Sequence, residues 1–273
     1  MLNNITKTKA QAMIEEIWSK EVVRDTNPKL VLAPLVWNFD KEAKHGDTIH
    51  VPSLSNLEAN DKQPNMPVTL QAPTETNTDI LIDQHKEVSY IIEDITELQS
   101  NRALRQMYTE PMTTAISRAI DTSLAELGAA VSQEVGSYNT ALTTDVLLEG
   151  IEKLDENEVP FEDRHFIFKP DTKKELLQLN AYTSGDFVSG KPVETGLIGD
   201  LYGVKTYMSN NIVKAGDNTN NMLFHKQAFA IANAQKPRVQ VGYELLSLGT
   251  ASVCDAVWGV KEMRPDFAVL VKT

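Results

Sequence analysis

The sequence predicts an α+β fold whose surface is completed by further copies of the same chain. Three observations carry that reading. Residues 46–89 read as strand, long polar loop, strand; residues 95–131 carry a long helical stripe with one proline inside it; and after Gly136 short helices alternate with apolar strands. Neither a projecting two-stranded loop nor a single long helix can bury its apolar side chains alone.

The first element is an amphipathic helix over residues 9–23. Met13, Ile14, Ile17, Trp18 and Val22 fall on one face, with Lys9, Glu15, Glu16, Lys20 and Glu21 largely elsewhere. A short terminal helix is marginal unless its stripe docks on something. "NPKLVLAPLVWNFD" follows, and Pro28 and Pro34 favour extended chain. Leu30, Leu32, Leu35, Trp37 and Phe39 are too apolar to be left in water, so this arm packs on its own chain or on another. In the next segment Ile80, Ile82, Val88, Tyr90 and Ile92 share one parity, as in strands with one buried face. Residues 52–77 between the strands are polar, with prolines at 52, 64, 67 and 73. A loop of that length is usually functional or mobile.

Asp94 and Glu97 form a capping box that opens the long helix. Leu104, Tyr108, Met112, Ile116, Ile120, Leu124, Leu127 and Val131 recur at steps of three and four. A helix from Ile95 to Leu127 would span roughly 50 Å, with Pro111 expected to kink or divide it and Gly128 to weaken its end. Beyond it lie a helix starting at Thr144 or Asp145, a buried strand "RHFIFKP", and a helix capped by Asp171. A polar loop "NAYTSGDFVSGKPVETG" and a glycine-punctuated turn and strand follow. Residues from 221 onward are mostly strands.

With 273 residues, 41% hydrophobic and 23% charged, the chain can build an ordinary core. Aromatic residues are only 7%, so aliphatic packing dominates. The formal net charge is -12. That excludes wrapping nucleic acid, which needs a basic footprint, but suits the lining of a container that must not hold nucleic acid tightly. Cys254 is the single cysteine, so there is no internal disulfide. Its apolar surroundings, with no nearby His, mark it as a small core residue. No run reaches the length of a membrane span. Residues 1–18 lack the apolar core of a signal peptide, so the chain is expected in the cytoplasm when made.

Catalytic and ligand signals are weak. Gly185 to Lys191 has the spacing of a phosphate-binding loop, but Pro192 stands where a Ser or Thr hydroxyl is required. It reads as a flexible glycine loop. His45, His50, His85, His165 and His225 show no metal-ligand spacing and read as surface or packed histidines. Asp145, Glu149, Glu152, Asp155, Glu156 and Glu158 crowd one region, the pattern of a solvated helix face. There is no Gly-x-Ser-x-Gly elbow. No catalytic residue, cofactor or metal site is expected.

Four stretches, in this order, resemble the major capsid proteins of tailed bacteriophages, the Hong Kong 97-like fold. They are "GDTIHVPS" leading through the loop to "ILIDQHKEVSYIIEDI"; "ELQSNRALRQMYTEPMTTAISRAIDTSLAEL", containing Asp121; "LDENEVPFEDRHFIFKPDTKKELLQL", with Val159-Pro160, Arg164 and Pro170; and "GLIGDLYGVKTYMSNNI" followed by "HKQAFAIANAQKPRVQ". The resemblance covers the chain from about Trp37 to its end. It implies an N-terminal arm (1–45), an extended loop hairpin lying over an adjacent subunit (46–89), a peripheral domain with a spine helix (90–140), an axial domain (141–235) and C-terminal strands of the peripheral domain (236–273). The loop 182–194 would lie near each capsomer's centre, where Gly185 and Gly190 let it change shape between pentamers and hexamers.

The expected function is a shell of pentamers and hexamers enclosing double-stranded DNA, with no enzymatic activity, no membrane contact and no sequence-specific DNA binding. Trp18, Leu32, Trp37, Phe39, Lys62, Met66, Asp186 and Lys191 are the candidate interface residues, and Pro111 is the candidate flex point in maturation. The arm begins at Met1, so a separate scaffolding protein is expected rather than a cleaved leader segment. A portal and a decoration protein are the other partners the family implies, and the virion, assembled in the host cytoplasm, is the expected location. Lys62 is not expected to cross-link. The alternatives are an encapsulin-type cellular compartment sharing the fold and, from another class, a soluble α/β hydrolase with a lid loop.

Overall fold

In the computed structural model, residues 31–93 are described except 45 and several positions between 55 and 74, as are 103–178 and 199–273 except 217. Side chains at 103–110 are not among them. The expected helix at 9–23, the capping box at 94–97, the loop 182–194, and Trp18, Met66, Asp186 and Lys191 lie outside the described residues.

Two long strands, β10 (Phe229–Glu244) and β11 (Gly249–Glu262), form the centre of a four-stranded sheet. Its edges are β1 (Trp37–Asn38), parallel to β10, and β4 (Gln84–Glu93), antiparallel to β11. The first four residues of β10 are all buried, and beyond Asn233 burial becomes patchy and largely alternates. The strand therefore leaves the two-sided core and projects with one open face. Its register shifts between Asn233 and Arg238. Pro237 cannot donate to the ladder, and a bulge there absorbs it.

The helix α1 (Ala103–Ala129) lies across this sheet. Met112, Ile116, Ile120 and Leu124 of the expected stripe are all buried. So is a second line, Thr113, Ser117 and Asp121. The buried face is therefore broad and half polar; Ser117 Oγ donates to the Thr113 carbonyl at 2.7 Å. Pro111 does not divide the helix, which runs through it as one 27-residue element. Pro111 is on the exposed side, where water can satisfy the carbonyl that its missing N–H leaves unpaired.

A second sheet has the order β5 (Glu134–Gly136), β12 (Ala268–Lys272), β9 (Asn218–His225), β6 (Arg164–Phe168), β7 (Lys205–Met208), with β8 (Lys214–Ala215) paired to β9. Its central strands are buried on both faces: every residue of β6 and the first four of β12 are buried. The C-terminal strands do not stay together as the 236–273 boundary expected. After a short turn at Pro265–Phe267 the chain crosses, and β12 inserts between β5 and β9. An unbroken Ala-Val-Leu-Val run needs a position covered on both faces, which only a central strand supplies.

Two shorter helices pack on this sheet. In α2 (Thr144–Glu156) the cap is Thr143, whose hydroxyl accepts from the Val146 N–H. In α3 (Pro170–Gln178) Pro170 takes the first position. Asp171 lies in the first turn instead of capping, and it pairs with Lys214 at 2.7 Å.

The third sheet is a hairpin of β2 (Thr48–Leu54) and β3 (Glu75–Leu81). It ends at Leu81, and β4, which begins at Gln84, belongs to the four-stranded sheet. Ile80 is its buried foot, set in a small separate core with Ala43, Ala230 and Ala232.

Candidate assembly surfaces

The arm docks on its own subunit as an edge strand. Phe39 N–H donates to the Ile231 carbonyl at 2.8 Å. Asp40 accepts from the Asn233 main chain at 3.0 Å and side chain at 2.8 Å, and pairs with Lys236 at 3.2 Å. Burial pushes the Asp40 pKa up, but the hydrogen bonds outweigh it and hold the carboxyl below its usual range. Leu32, expected at an interface, is fully buried in the main core of its own subunit. Trp37 remains 38% exposed beside Phe39, with ring centroids 4.8 Å apart. Phe39 is half-buried against the small core, and Lys62 lies exposed on the hairpin.

Two projections carry apolar side chains into solvent. On the β2–β3 hairpin Leu57, Val68 and Leu70 are exposed, Leu70 to 90%. Its strands are joined across by His50 and Asp79 at 2.6 Å and by Ser53 and Thr76 at 2.7 Å. A two-stranded ribbon with polar cross-strand pairs, covered only near its foot, is marginal alone. At the β10–β11 turn Leu245, Leu246 and Leu248 are exposed, Leu246 to 94%. Three leucines at one strand turn are a docking surface or an aggregation liability. This knuckle was missed in the sequence, where "ELLSLG" reads as an ordinary strand.

A third locus joins three segments. Asp121 of α1 is fully buried and accepts the N–H groups of Val31 at 3.0 Å and Leu32 at 3.2 Å, and Asn211 Nδ2 at 3.3 Å. The pattern of α1 gave no signal for this beyond the Asp itself.

The titratable groups singled out in the sequence occupy structural places. Burial pushes the Cys254 thiol up to about 11, aided by Asp255, and the side chain is fully buried. The six carboxylates at 145–158 are all exposed, as a solvated face requires. Among the described residues no group of three or more His, Cys, Asp or Glu is placed to hold a metal ion. No helix among them is long and apolar enough to cross a membrane. Arg164 is the best-held charge. Its guanidinium pairs with Asp155 at 2.7 Å, donates to the Pro160 carbonyl at 2.9 Å and the Val159 carbonyl at 2.5 Å, and lies over the Phe161 ring.

An arm, a projecting hairpin, a spine helix over a long-stranded sheet and an α/β sheet define a shell-building subunit of the Hong Kong 97-like fold. The phage capsid protein family matches residues 39–245, and the chain belongs to that family. Similar solved chains include one of Mycobacterium phage Che8, 22% identical over 89% of this chain and 90% of that one, with a TM-score of 0.76. A capsid chain of cyanophage P-SCSP1u is 20% identical over 87% and 86%, at 0.72. A virus-like particle from Pyrococcus furiosus is 9% identical over 94% and 99%, at 0.61. No curated protein sequence matches the chain. The protein is a phage major capsid protein, a structural protein; the cellular-compartment alternative is not favoured over it.

Proposed function

We propose that copies of this chain assemble as pentamers and hexamers into an icosahedral shell around double-stranded DNA, without catalysis of their own. The observation that carries the reading is the pair of projections whose leucines are uncovered in the single subunit. Repeated burial of such side chains drives association, and many weak contacts per subunit add up. Trp37, Phe39 and Lys62 are interface residues in this reading. On sequence grounds Trp18, Met66, Asp186 and Lys191 join them. The sheet β5-β12-β9-β6-β7 is the axial domain, and α1 with the long-stranded sheet is the peripheral one. The acidic balance keeps the inner wall from gripping DNA. The partners are other copies, a scaffolding protein, a portal and a decoration protein. Assembly takes place in the host cytoplasm and the product is the virion. Pro111 is the flex point of α1 as the shell matures.

Negative-stain electron microscopy of the purified chain, co-expressed with its neighbouring genes, tests the reading. Closed shells or rings of five and six are expected. Small uniform particles despite a co-expressed scaffold would overturn it.

A further inference from the structure

Asp121 sits at the middle of α1 with no exposed surface. An ionised carboxylate in such a place must have its acceptor sites filled. Among the described residues its partners are all uncharged. Val31 and Leu32 donate their main-chain N–H groups, and Asn211 donates its side-chain amide. Burial pushes its pKa up, and these donors oppose that without cancelling it.

The three sources of donors are independent parts of the fold. Residues 31–33 are the part of the arm that enters the core, before its edge strand. Asp121 belongs to the spine helix. Asn211 stands in the turn after β7, held there because its N–H donates to Ser209 Oγ at 3.2 Å and because Ser209 N–H donates to the Phe168 carbonyl at 3.0 Å. Leu32 and Ala33 open the turn that Leu35 N–H closes on the Leu32 carbonyl, and Val31 precedes it. Two successive N–H groups, one on each oxygen of the same carboxylate, fix the backbone direction of that segment, not only its position.

We propose that Asp121 is the latch that fixes the position and direction of the arm at residues 31–33, tying that segment to both the spine helix and the axial sheet. The role of the arm in reaching neighbours rests on the shell reading above; the latch itself belongs to the single subunit. An Asn at 121 fills the same volume but turns one acceptor into a donor, facing N–H groups that are donors too. That segment is then released while both sheets keep their cores.

The test is hydrogen exchange on unassembled full-length subunits, comparing wild type with Asp121→Asn and Asn211→Ala. For Asp121→Asn, exchange over residues 31–36 is expected to rise about tenfold or more, with β10 and β11 unchanged. For Asn211→Ala, exchange is expected to rise over 209–213 and much less over 31–36. Should Asp121→Asn fail to fold, Val31→Pro removes one donor without stranding the carboxylate and is expected to raise exchange locally at 32–36. Wild-type protection of 31–36 in the folded Asn variant, or of 32–36 in Val31→Pro, overturns the latch. Because the readout precedes assembly, that result is separable from a failure to form shells.

Discussion

Gly259 of β11 lies directly under the Leu81 carbonyl at the foot of the projecting hairpin, and a Cβ at 259 would collide with that backbone oxygen and with the Ile82 Cα. The hairpin foot is closed just beside it, where Ile82 N–H donates to the Asp47 carbonyl at 2.8 Å. Gly259 itself pairs with Ala232 in the ladder, so β11 cannot retreat without breaking register. For Gly259→Ala the hairpin is expected to tilt away from the sheet. The expected loss is about 1–3 kcal/mol in denaturant unfolding, with fewer closed shells by electron microscopy. Wild-type stability in this variant would show that the hairpin foot adjusts freely.

Pro111 stands on the exposed side of an unbroken helix. Proline in a helix interior costs about 3 kcal/mol relative to alanine in peptides. Part of that is already absorbed here by the solvent-facing position. Pro111→Ala is therefore expected to stabilise the subunit by about 1–2 kcal/mol and to slow shell expansion, followed by small-angle scattering. Stabilisation with unchanged expansion would remove the flex role and leave Pro111 a local defect.

Arg164 is expected to tolerate no substitution well. Its side chain is 2% exposed and its donors are spent on Asp155 and on two main-chain carbonyls. Arg164→Ala strands the carbonyls of Val159 and Pro160, for an expected loss of about 2–4 kcal/mol by chemical denaturation. Lysine carries the charge but not the planar fork, so Arg164→Lys should recover less than half of that loss. Full recovery by lysine would reduce the role of Arg164 to charge alone.

What the sequence made legible was local. The buried run Arg164–Phe168, the helix Thr144–Glu156 and the hydrophobic line from Met112 to Leu124 follow from spacing and apolar continuity alone. The line Thr113, Ser117 and Asp121 did not stand out, because polar residues in a helix read as solvent-facing until their partners are known. Those partners lie far away in sequence, Leu32 eighty-nine residues before Asp121. The insertion of β12 between β5 and β9 was hidden for the same reason: strand order depends on pairings that no local pattern contains. The leucine knuckle at 245–248 was hidden differently. Its residues look like core, and only the projection of the strand pair places them in water.

His165 supplies the pH dependence. It is almost fully buried in β6, its ring edge-on to Tyr207 and Phe224 at 5.7 and 5.9 Å, and its Nδ1 has no hydrogen-bond partner among the described residues. Burial pushes its pKa down from 6.5 to about 4, with Asp163 opposing and Lys205 and His225 assisting. His225 is lowered in the same direction, again chiefly by burial. As pH falls below 6.5 the unfolded chain takes up these protons first, so stability present above that pH is lost progressively down to about 4. For His165 alone the full effect is on the order of 3 kcal/mol. Thermal melts of the unassembled subunit should therefore fall steeply between pH 6.5 and pH 5. Phenylalanine preserves the edge-on ring contacts and cannot titrate, so His165→Phe should keep the neutral-pH melting temperature and flatten the acid slope. A slope as steep in His165→Phe as in wild type would move the acid sensitivity to His225 and the carboxylates, and would leave the buried ring of His165 without a part in it.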